Sequence, residues 1–428
     1  MHGSDHSSPL TPARSQSAAL AIVVASLGYC VDVYDLLLFN VVRQRSLIDI
    51  GVAVEDVQAV GIRLLNLQLI GLLLGGVIWG VLGDRRGRLS VLFGSIVLYS
   101  AANLANAYVQ DIEVYGWLRF IAGLGLAGEL GAGVTLVAEL MGQRGRGWGV
   151  TIIGAVGVFG AVLAGLVGET APGLGALGLS AEQGWRTAYF LGGVLGLMLL
   201  ALRIGLRESA MFHSLSSGSL SRGLGPLLRS PRRLWRFAAI VITGSPIWFT
   251  VGVLVGLAPQ LGAAMGLTGP EVPRPGVCIS MYYAGALLGD IAAGALSQWM
   301  RSRRMAILCF LLASATTVGM LLASGGWGLR WFYGTTAVMG FFNAFWILLM
   351  MTTSEEFGTN IRATATTMVP NMIRATAVPI TMAFGPLSEI FGHVLAAATL
   401  AVLVFSAAIL ALGTLPETYG RSLDFTEE

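Results

Sequence analysis

The sequence contains no lysine and few charged residues of any kind. Charged residues make up 11% of the 428 positions, whereas soluble domains average roughly 25%. Apolar residues make up 55%, and the mean hydropathy is +0.75. A soluble protein of this length cannot cover its surface with so few charges, and disordered chains are rich in them. These values exclude both classes and indicate a polytopic membrane protein.

Cysteine and histidine are also scarce. The three cysteines lie in separate apolar runs and the four histidines are scattered, so neither type forms a disulfide framework or a metal-ligand set. No nucleophile and base stand in a recognisable catalytic pattern. We therefore expect no metal, no cofactor and no enzymatic activity. The first 17 residues are polar and serine-rich, without a cleavable signal pattern.

Continuous apolar runs dominate the rest of the chain, and they are about twice as long as the strands of a membrane β-barrel. Twelve runs are long enough for spanning helices, at about 18–42, 58–82, 89–109, 114–140, 148–169, 185–206, 236–259, 277–299, 305–324, 331–353, 366–388 and 394–414. The sequence therefore predicts an all-α membrane protein of twelve transmembrane helices. The predicted organisation is a polar tail (1–17), a six-helix bundle (18–206), a basic linker (207–235), a second six-helix bundle (236–414) and a tail (415–428).

Arginine placement predicts the orientation. With the N-terminus inside, 18 of the 26 arginines fall in cytoplasmic segments or at cytoplasmic run ends, six in external ones, and two, Arg119 and Arg374, well inside apolar runs. We therefore expect a plasma (inner) membrane protein with both termini in the cytoplasm. The basic linker is explained by this rule and by anionic lipid rather than by nucleic acid. The expected partners are the bilayer and small solutes, and the expected form is a monomer.

The two halves repeat weakly. A shift of 214 positions superimposes three glycines of the second run on three of the eighth: Gly71, Gly75 and Gly80 on Gly285, Gly289 and Gly294. Equivalent loops lie on the same predicted side of the membrane. This pattern is typical of parallel repeats related by an axis along the membrane normal.

Several motifs resemble those of the major facilitator superfamily, and the likeness covers nearly the whole chain. Gly80–Arg88 is similar to the signature between helices 2 and 3, with Leu89 where a further basic residue is usual. Leu118–Gly125 is similar to the helix 4 signature. Segments typical of the branch that holds sugar, phosphate and organic-acid porters are Trp185-Arg186, Leu206–Phe212 and Pro416–Arg421.

Two further segments narrow the resemblance. Asp32–Asp35 resembles phosphate and aromatic- or carboxylic-acid proton symporters, whereas Gly128-Glu129 resembles metabolite:proton symporters. The Gly-Pro signature of drug:proton antiporters is missing from helix 5. The resemblance implies two pseudo-symmetric bundles that alternate access to a central site.

The resemblance also implies a cytoplasmic gate. An aspartate at the position of Asp84, with Arg85 and Arg88, is expected to latch onto the positive end of helix 11 near 363–367 when the cytoplasmic side is closed. The remaining predicted members of the gate network are Glu139, Arg146, Glu355, Glu356 and Arg362.

Charges within the membrane are the best functional signal, because each costs roughly 2.5–3.5 kcal/mol to insert. Asp32 and Asp35 share one face of helix 1, and two ionised carboxylates so close would repel, as suits a proton carrier. Arg119 lies at similar depth, so an Asp–Arg119 pair is either a coupling element or a permanent salt bridge. Glu129 is a second proton site, a substrate ligand or a packing carboxyl.

In the second half, Asp290 and Arg374 either neutralise each other or leave Arg374 free to anchor a carboxylate or phosphate. Asn371 shares the face of Arg374, and Pro370 and Pro379 frame it and could break helix 11. Asn343 and Trp346 are candidates for contacting polar and flat parts of a substrate. Weaker aromatic candidates for the site are Tyr29, Tyr34, Trp248, Tyr282 and Tyr283. The alternative is that these aromatic residues pack between helices or lie in the interfacial belts of the membrane.

Together these residues predict a secondary transporter that moves a small organic anion with protons. The alternatives are a porter of sugars or other neutral solutes, an inorganic phosphate symporter, and a uniporter or exchanger. A non-transporting receptor on the same scaffold is disfavoured by the intramembrane charges.

Overall fold

The computed structural model describes residues 12–141, 146–170, 183–203, 224–325 and 327–427, where every regular element is a helix. The first half contains α1 (Pro12–Asp49), α2 (Val57–Arg86), α3 (Arg88–Asn106), α4 (Ile112–Leu126), α5 (Glu129–Leu140), α6 (Arg146–Thr170) and α7 (Gly184–Leu202). The second half begins with α8 (Leu224–Arg229), α9 (Pro231–Phe249), a π-helical turn (Thr250–Val255), α10 (Ala258–Ala264) and a 3-10 turn (Gly269–Glu271). It continues with α11 (Pro275–Met300), α12 (Arg303–Ala323), α13 (Leu329–Asn343), α14 (Trp346–Glu356), α15 (Arg362–Ala375), α16 (Ala377–Phe391) and α17 (His393–Thr414).

The predicted all-α membrane fold is confirmed. Within the described ranges, 11 helical stretches are long and apolar enough to cross a membrane. The one remaining predicted crossing, 366–388, the eleventh in chain order, is divided between α15 and α16, which have 14 and 15 residues. Neither half is long enough to span a bilayer alone, and α15 is also rich in threonine.

Two helices begin earlier than predicted. Helix α1 begins at Pro12, inside the predicted polar tail, and α9 begins at Pro231, inside the predicted linker. The Ser230 hydroxyl accepts a hydrogen bond from the Arg233 backbone N–H, and proline is well suited to the first helical position, so the start of α9 is explained locally. Linker residues 207–223 lie outside the described part of the chain.

The repeated glycines occupy equivalent places in the two halves. Gly71 and Gly75 of α2 pack against the backbone of α4, and their counterparts Gly285 and Gly289 of α11 pack against α13. The third glycine of each set faces the other half: Gly80 lies against Thr364 of α15, and its counterpart in α11 lies against α6. A side chain at any of these positions would collide with the facing helix, so each glycine allows close helix approach.

Four of the predicted spans depart from regular α-helical geometry within the predicted membrane region. The fourth span breaks at 127–128, between α4 and α5, and the tenth at 344–345, between α13 and α14. The eleventh breaks at Thr376, and the seventh changes to π-helical geometry at Thr250, after Pro246. Irregular backbone at this depth is tolerated where protein buries it, and it is common at functional sites. These breaks bring polar side chains of several helices to a similar depth.

Candidate functional site

Asp32 and Arg374 form an ion pair between the first and eleventh spans. Arg374 Nη2 lies 3.3 Å from Asp32 Oδ2, and the two side chains are 3% and 0% exposed. Asp32 lies mid-way along α1, whereas Arg374 lies at the end of α15, two residues before the break at Thr376. Because the pair is sealed from water, removing either partner would leave an uncompensated charge.

The remaining contacts of Arg374 are few. Its Nη1 donates to Asn371 Oδ1 at 3.3 Å, and its guanidinium carbon lies 5.9 Å from the centre of the Trp346 ring. Asn371 Nδ2 in turn donates to the Ala127 carbonyl, at the break in the fourth span, with a distance of 3.1 Å. The hydrogen bonds that Arg374 makes are long. A guanidinium held this loosely can exchange Asp32 for another carboxylate of matching geometry.

One expectation about this region needs correction, whereas another agrees with the structure. Arg374 pairs with Asp32, so the mutual neutralisation of Arg374 and Asp290 does not occur here. Asp290 is 1% exposed, and neither of its carboxylate oxygens has a hydrogen-bond partner among the described residues. Helix 11 does break between its two framing prolines: Pro370 lies inside α15, and the break at Thr376 precedes Pro379. Pro379 lies in the first turn of α16, where its missing N–H costs no helical hydrogen bond.

Asp35 and Arg119 are joined through a third side chain rather than directly, which corrects the predicted pair. Asn103 Nδ2 donates to Asp35 Oδ2, and Arg119 Nη2 donates to Asn103 Oδ1 at 3.0 Å. The Arg119 guanidinium also lies over the Tyr189 ring, 4.6 Å from its centre. A side-chain amide donates and accepts at the same time, so Asn103 connects the carboxylate with the guanidinium. Asp35 therefore faces α3, whereas Asp32 faces α15.

Glu129 has a buried arginine partner. Arg203 Nη2 lies 2.5 Å from Glu129 Oε2, and the Ser95 hydroxyl donates to Glu129 Oε1 at 2.6 Å. Both charged side chains are at most 1% exposed. Of the three alternatives for Glu129, this geometry favours the hydrogen-bonded packing carboxyl.

The aromatic candidates separate into two groups. Tyr29 is buried and lies within electrostatic range of Asp32, Asp290 and Arg374, so it belongs to the central region. Tyr282 lies there too, with its hydroxyl beside Asn343 and its ring 5.1 Å from that of Tyr283.

The other aromatic candidates have structural surroundings. The Tyr34 hydroxyl donates to the Ala188 carbonyl of α7 at 2.8 Å. Trp248 is half-buried and packs against apolar side chains of the core. Neither residue has a described contact with Arg374.

Asp84 binds the N-terminus of α15. Its carboxylate accepts hydrogen bonds from the backbone N–H groups of Ala363 and Thr364, at 3.0 and 2.9 Å, and from the Thr364 hydroxyl. The first N–H groups of a helix lack intrahelical partners and carry its positive dipole, so an anion is stabilised there. Arg88 donates to the Thr359 carbonyl just ahead of the same helix. Helices α2 and α15 are therefore closed against each other at this end.

Glu355 and Glu356 end α14 in two separate ion-pair groups. Glu355 pairs with Arg303 at 3.2 Å and accepts a hydrogen bond from the Thr418 hydroxyl. Glu356 pairs with two arginines from different segments, Arg236 at 2.6 Å and Arg421 at 2.5 Å.

The C-terminal tail (415–427) lies across this surface. The Thr359 N–H donates to the Phe425 carbonyl at 2.8 Å, and Arg362 Nη2 donates to the Leu423 carbonyl at 2.6 Å. Asn360 exchanges two hydrogen bonds with the backbone of Glu427. The tail therefore contacts the segment just before α15, whose first N–H groups bind Asp84.

Three predicted gate residues are not part of these contacts. Arg85 is exposed, with no ion pair or hydrogen bond within the described chain. The side chains of Glu139 and Arg146 lie outside the described residues, so their predicted gate roles stay predictions.

Sequence reasoning missed two central residues. Asn103 is uncharged, so a search for intramembrane charges passed over it, although an asparagine in an apolar run is itself a signal. Arg203 is one of the 18 arginines that the distribution places on the cytoplasmic side, but the structure buries it to 1% exposure beside Glu129.

Comparisons with known proteins agree with this architecture. A family model described as Major Facilitator Superfamily matches residues 18–377. The chain is 27% identical over 340 residues to the 3-(3-hydroxy-phenyl)propionate transporter of Escherichia coli, covering 78% of this chain and 76% of that protein. It is 26% identical over 400 residues to the niacin transporter NiaP of Acinetobacter baylyi, covering 84% and 86%. The solved structure of the proton:xylose symporter XylE superimposes with a TM-score of 0.73 at 16% identity, covering 96% and 98%, which supports the fold alone.

Proposed function

The chain belongs to the major facilitator superfamily, and we propose that it carries small organic acids across the membrane by alternating access, in symport with protons. The observation that carries this proposal is the buried ion pair between Asp32 and Arg374. The pair holds one buried cation next to the helix break at Thr376, with a carboxylate as its present partner. A substrate carboxylate has the same chemistry as that partner and can replace it.

The names of the relatives support an acid as substrate. Niacin and hydroxyphenylpropionate are both carboxylic acids built on a ring, and the proteins named for them match most of this chain. Arg374 lies 5.9 Å from the Trp346 ring, and Tyr29 lies close by. These side chains suit a flat molecule with a carboxylate at one end.

Proton coupling follows from exchange at Arg374. When the substrate carboxylate binds the guanidinium, Asp32 loses its counter-charge in a buried site. A proton taken from solution then neutralises the released Asp32, so that substrate and proton move together. Asp35, bridged to Arg119 by Asn103, is the second proposed coupling carboxylate. The relatives are transporters and no step here requires catalysis.

Alternating access requires the closed end to open. We propose that the Asp84 side is cytoplasmic, as the arginine distribution predicts, and that both termini lie there. Substrate release on this side then requires Asp84 to leave the N-terminus of α15. Gate opening would separate α2 from α15 and break the contacts of the tail.

The test uses purified protein in liposomes that enclose a pH-sensitive dye. Carboxylates, phosphate and sugars are added one at a time while the lumenal pH is recorded. Acidification with carboxylates, lost in Asp32→Asn and retained in the exposed control Glu271→Gln, is the expected result. If only sugars or only phosphate acidify the lumen, the proposed substrate class is wrong. If carboxylates are taken up without a pH change, the protein is a uniporter or an exchanger and not a proton symporter.

A further inference from the structure

We infer that Asp290 accepts a hydrogen bond from a donor group of the substrate, so that the preferred substrate is an organic acid with an O–H or N–H group at the end opposite its carboxylate. This inference rests on the proposed function, because it assigns the carboxylate end to Arg374. It gives the substrate a second point of attachment besides Arg374, and it limits the preferred substrates to acids that carry a hydrogen-bond donor.

The first observation is that Asp290 lacks a partner. Seven acidic side chains are buried in the described residues: Asp32, Asp35, Asp84, Glu129, Asp290, Glu355 and Glu356. Six of them accept hydrogen bonds or form ion pairs, whereas neither oxygen of Asp290 does, at 1% exposure. Burying a carboxylate without a partner is costly, so such a group calls for a ligand.

The second observation is that unpaired donors lie on the neighbouring tenth span. Trp346 Nε1 and Asn343 Nδ2 are both buried without a hydrogen-bond partner among the residues described. Asn343 is held by the Ser314 hydroxyl, which donates to its Oδ1 at 2.7 Å, and its side chain lies beside the Tyr282 hydroxyl. These donors flank the break between α13 and α14. A polar substituent could accept from them while donating to Asp290.

The third observation relates Asp290 to Arg374 through the break in the tenth span: the adjacent Gly289 packs on Ala344 at the break, and Trp346, just after it, lies 5.9 Å from Arg374. Tyr29 lies within electrostatic range of both groups and of Asp32. Tyr29 also packs on Gly157 of α6, where a side chain would collide with its ring. The site therefore has a cation at Arg374, an acceptor at Asp290 and an aromatic side chain, Tyr29, within electrostatic range of both. That arrangement matches a short acid with a donor at its far end.

A proton on Asp290 is the competing explanation, since it would also relieve the buried charge. The two explanations predict different behaviour. A proton-carrying Asp290 affects all acids alike, whereas a substrate-binding Asp290 affects only those acids with a donor. A site built to bind a substrate hydroxyl discriminates strongly against the analogue that lacks it, because its own polar groups are then left unpaired.

The experiment measures kcat/KM for benzoate and for each monohydroxybenzoate in proteoliposomes. Wild-type protein is expected to prefer at least one hydroxylated acid by roughly tenfold or more. In Asp290→Asn the preference should fall severalfold, because kcat/KM for the hydroxylated acids should fall further than kcat/KM for benzoate. Asp290→Glu, which keeps the carboxylate but displaces it, should also lose preference. Asp32→Asn should lower uptake of all acids without changing the ratio.

Several outcomes would overturn the inference. Wild-type protein that takes up these acids without preference would refute it while leaving the proposed function intact. Equal losses for benzoate and the hydroxylated acids in Asp290→Asn would indicate a proton-carrying or structural role. Absence of carboxylate uptake by the wild-type protein would refute the proposed function itself. Thermal unfolding of each variant identifies misfolding, and a variant that does not fold is replaced by Asn343→Ala, which should reduce the same preference.

Discussion

Asp32 and Arg374 lie 342 positions apart in the chain and meet as a sealed ion pair, with 3.3 Å between Asp32 Oδ2 and Arg374 Nη2. The pair joins the two halves of the molecule at mid-membrane. In the proposed cycle the Asp32 carboxylate and the substrate carboxylate compete for the same guanidinium, that of Arg374. Weakening the pair from either side should therefore have different consequences for binding and for coupling.

We expect Arg374→Gln to weaken substrate binding by roughly 10- to 150-fold, because a hydrogen bond to a charged group contributes about 1.5–3 kcal/mol. Asp32→Asn should instead keep or strengthen binding, since the competitor loses its charge, while proton-coupled accumulation is lost. Equilibrium binding of a labelled acid, measured beside pH-driven uptake, checks both. Arg330→Gln, an exposed charge change outside the site, is the control. Unchanged affinity in Arg374→Gln would remove this residue as the anchor.

Asn103→Ala should uncouple proton movement from substrate exchange. The substitution removes the donor to Asp35 and the acceptor for Arg119 together, so the bridge between them is lost. We expect the ratio of protons to substrate to fall, while exchange across the membrane continues. Asn106→Ala is the matched control, because Asn106 lies one turn further along α3 and its Nδ2 donates to the Ala102 carbonyl of its own helix. A normal coupling ratio in Asn103→Ala would refute the role of the bridge.

Glu129→Gln should destabilise the protein by about 3–5 kcal/mol, because it leaves Arg203 buried without its counter-charge. The matched control is Glu113→Gln, which breaks an Arg–Glu pair of similar chemistry at the surface, where both side chains are about 60% exposed. Exposed pairs contribute about 0–1 kcal/mol. Thermal or denaturant unfolding in detergent compares the two. Equal losses of stability in the two variants would mean that the Glu129–Arg203 pair contributes no more than an exposed ion pair.

The fold and the depth of the candidate site follow from the sequence for a simple physical reason. A hydrocarbon core admits only long apolar helices, and each charge placed within them is expensive and therefore conspicuous. Asp32, Asp290 and Arg374 were identifiable on that basis alone.

Which charges pair is a different question, because it depends on how each helix is rotated and on which helices meet. Periodicity places Asp32 and Asp35 on one face of α1, yet they bind partners on different helices, α15 and α3. Asn103 carries no charge, so the pattern of charged residues cannot reveal the bridge that it forms between Asp35 and Arg119. Arg203 illustrates the same limit. It lies at the end of a helix, where the sequence alone does not distinguish an arginine of a basic loop from a buried arginine that pairs with a carboxylate.

Asp84→Asn should open the Asp84 side of the molecule more often. The substitution removes the negative charge at the first N–H groups of α15, which is stabilising by about 0.3–1 kcal/mol and up to about 2 in buried geometry. A cysteine at Thr366, whose hydroxyl lies 2.6 Å from that of Thr135 across the closed end, reports opening. In a background without native cysteines, maleimide labelling there should accelerate roughly 2- to 30-fold. An unchanged rate, as expected for the exposed control Asp56→Asn, would count against the latch.

Glu417 should make the attachment of the tail sensitive to acid. Its carboxylate accepts from the Ser302 hydroxyl and from the backbone N–H groups of Arg303 and Tyr419, at 2.8 Å for each backbone contact. Burial raises the pKa of Glu417, but these hydrogen bonds outweigh it and hold the pKa below the ordinary value of 4.5. A lowered pKa in the folded protein means that the contact stabilises the fold above pH 4.5 and is lost as the pH falls through the lower value.

The difference in melting temperature between wild type and Glu417→Gln measures this contribution. It should be constant from neutral pH down to about 4.5 and shrink towards zero in more acidic buffer. Asp424→Asn, on the same tail but exposed, should show no such trend. Hydrogen exchange at the first amides of α12 gives an independent measure, since Glu417 protects them directly. A constant difference across the acidic range would mean that the carboxylate charge does not hold the tail, and that backbone contacts alone attach it.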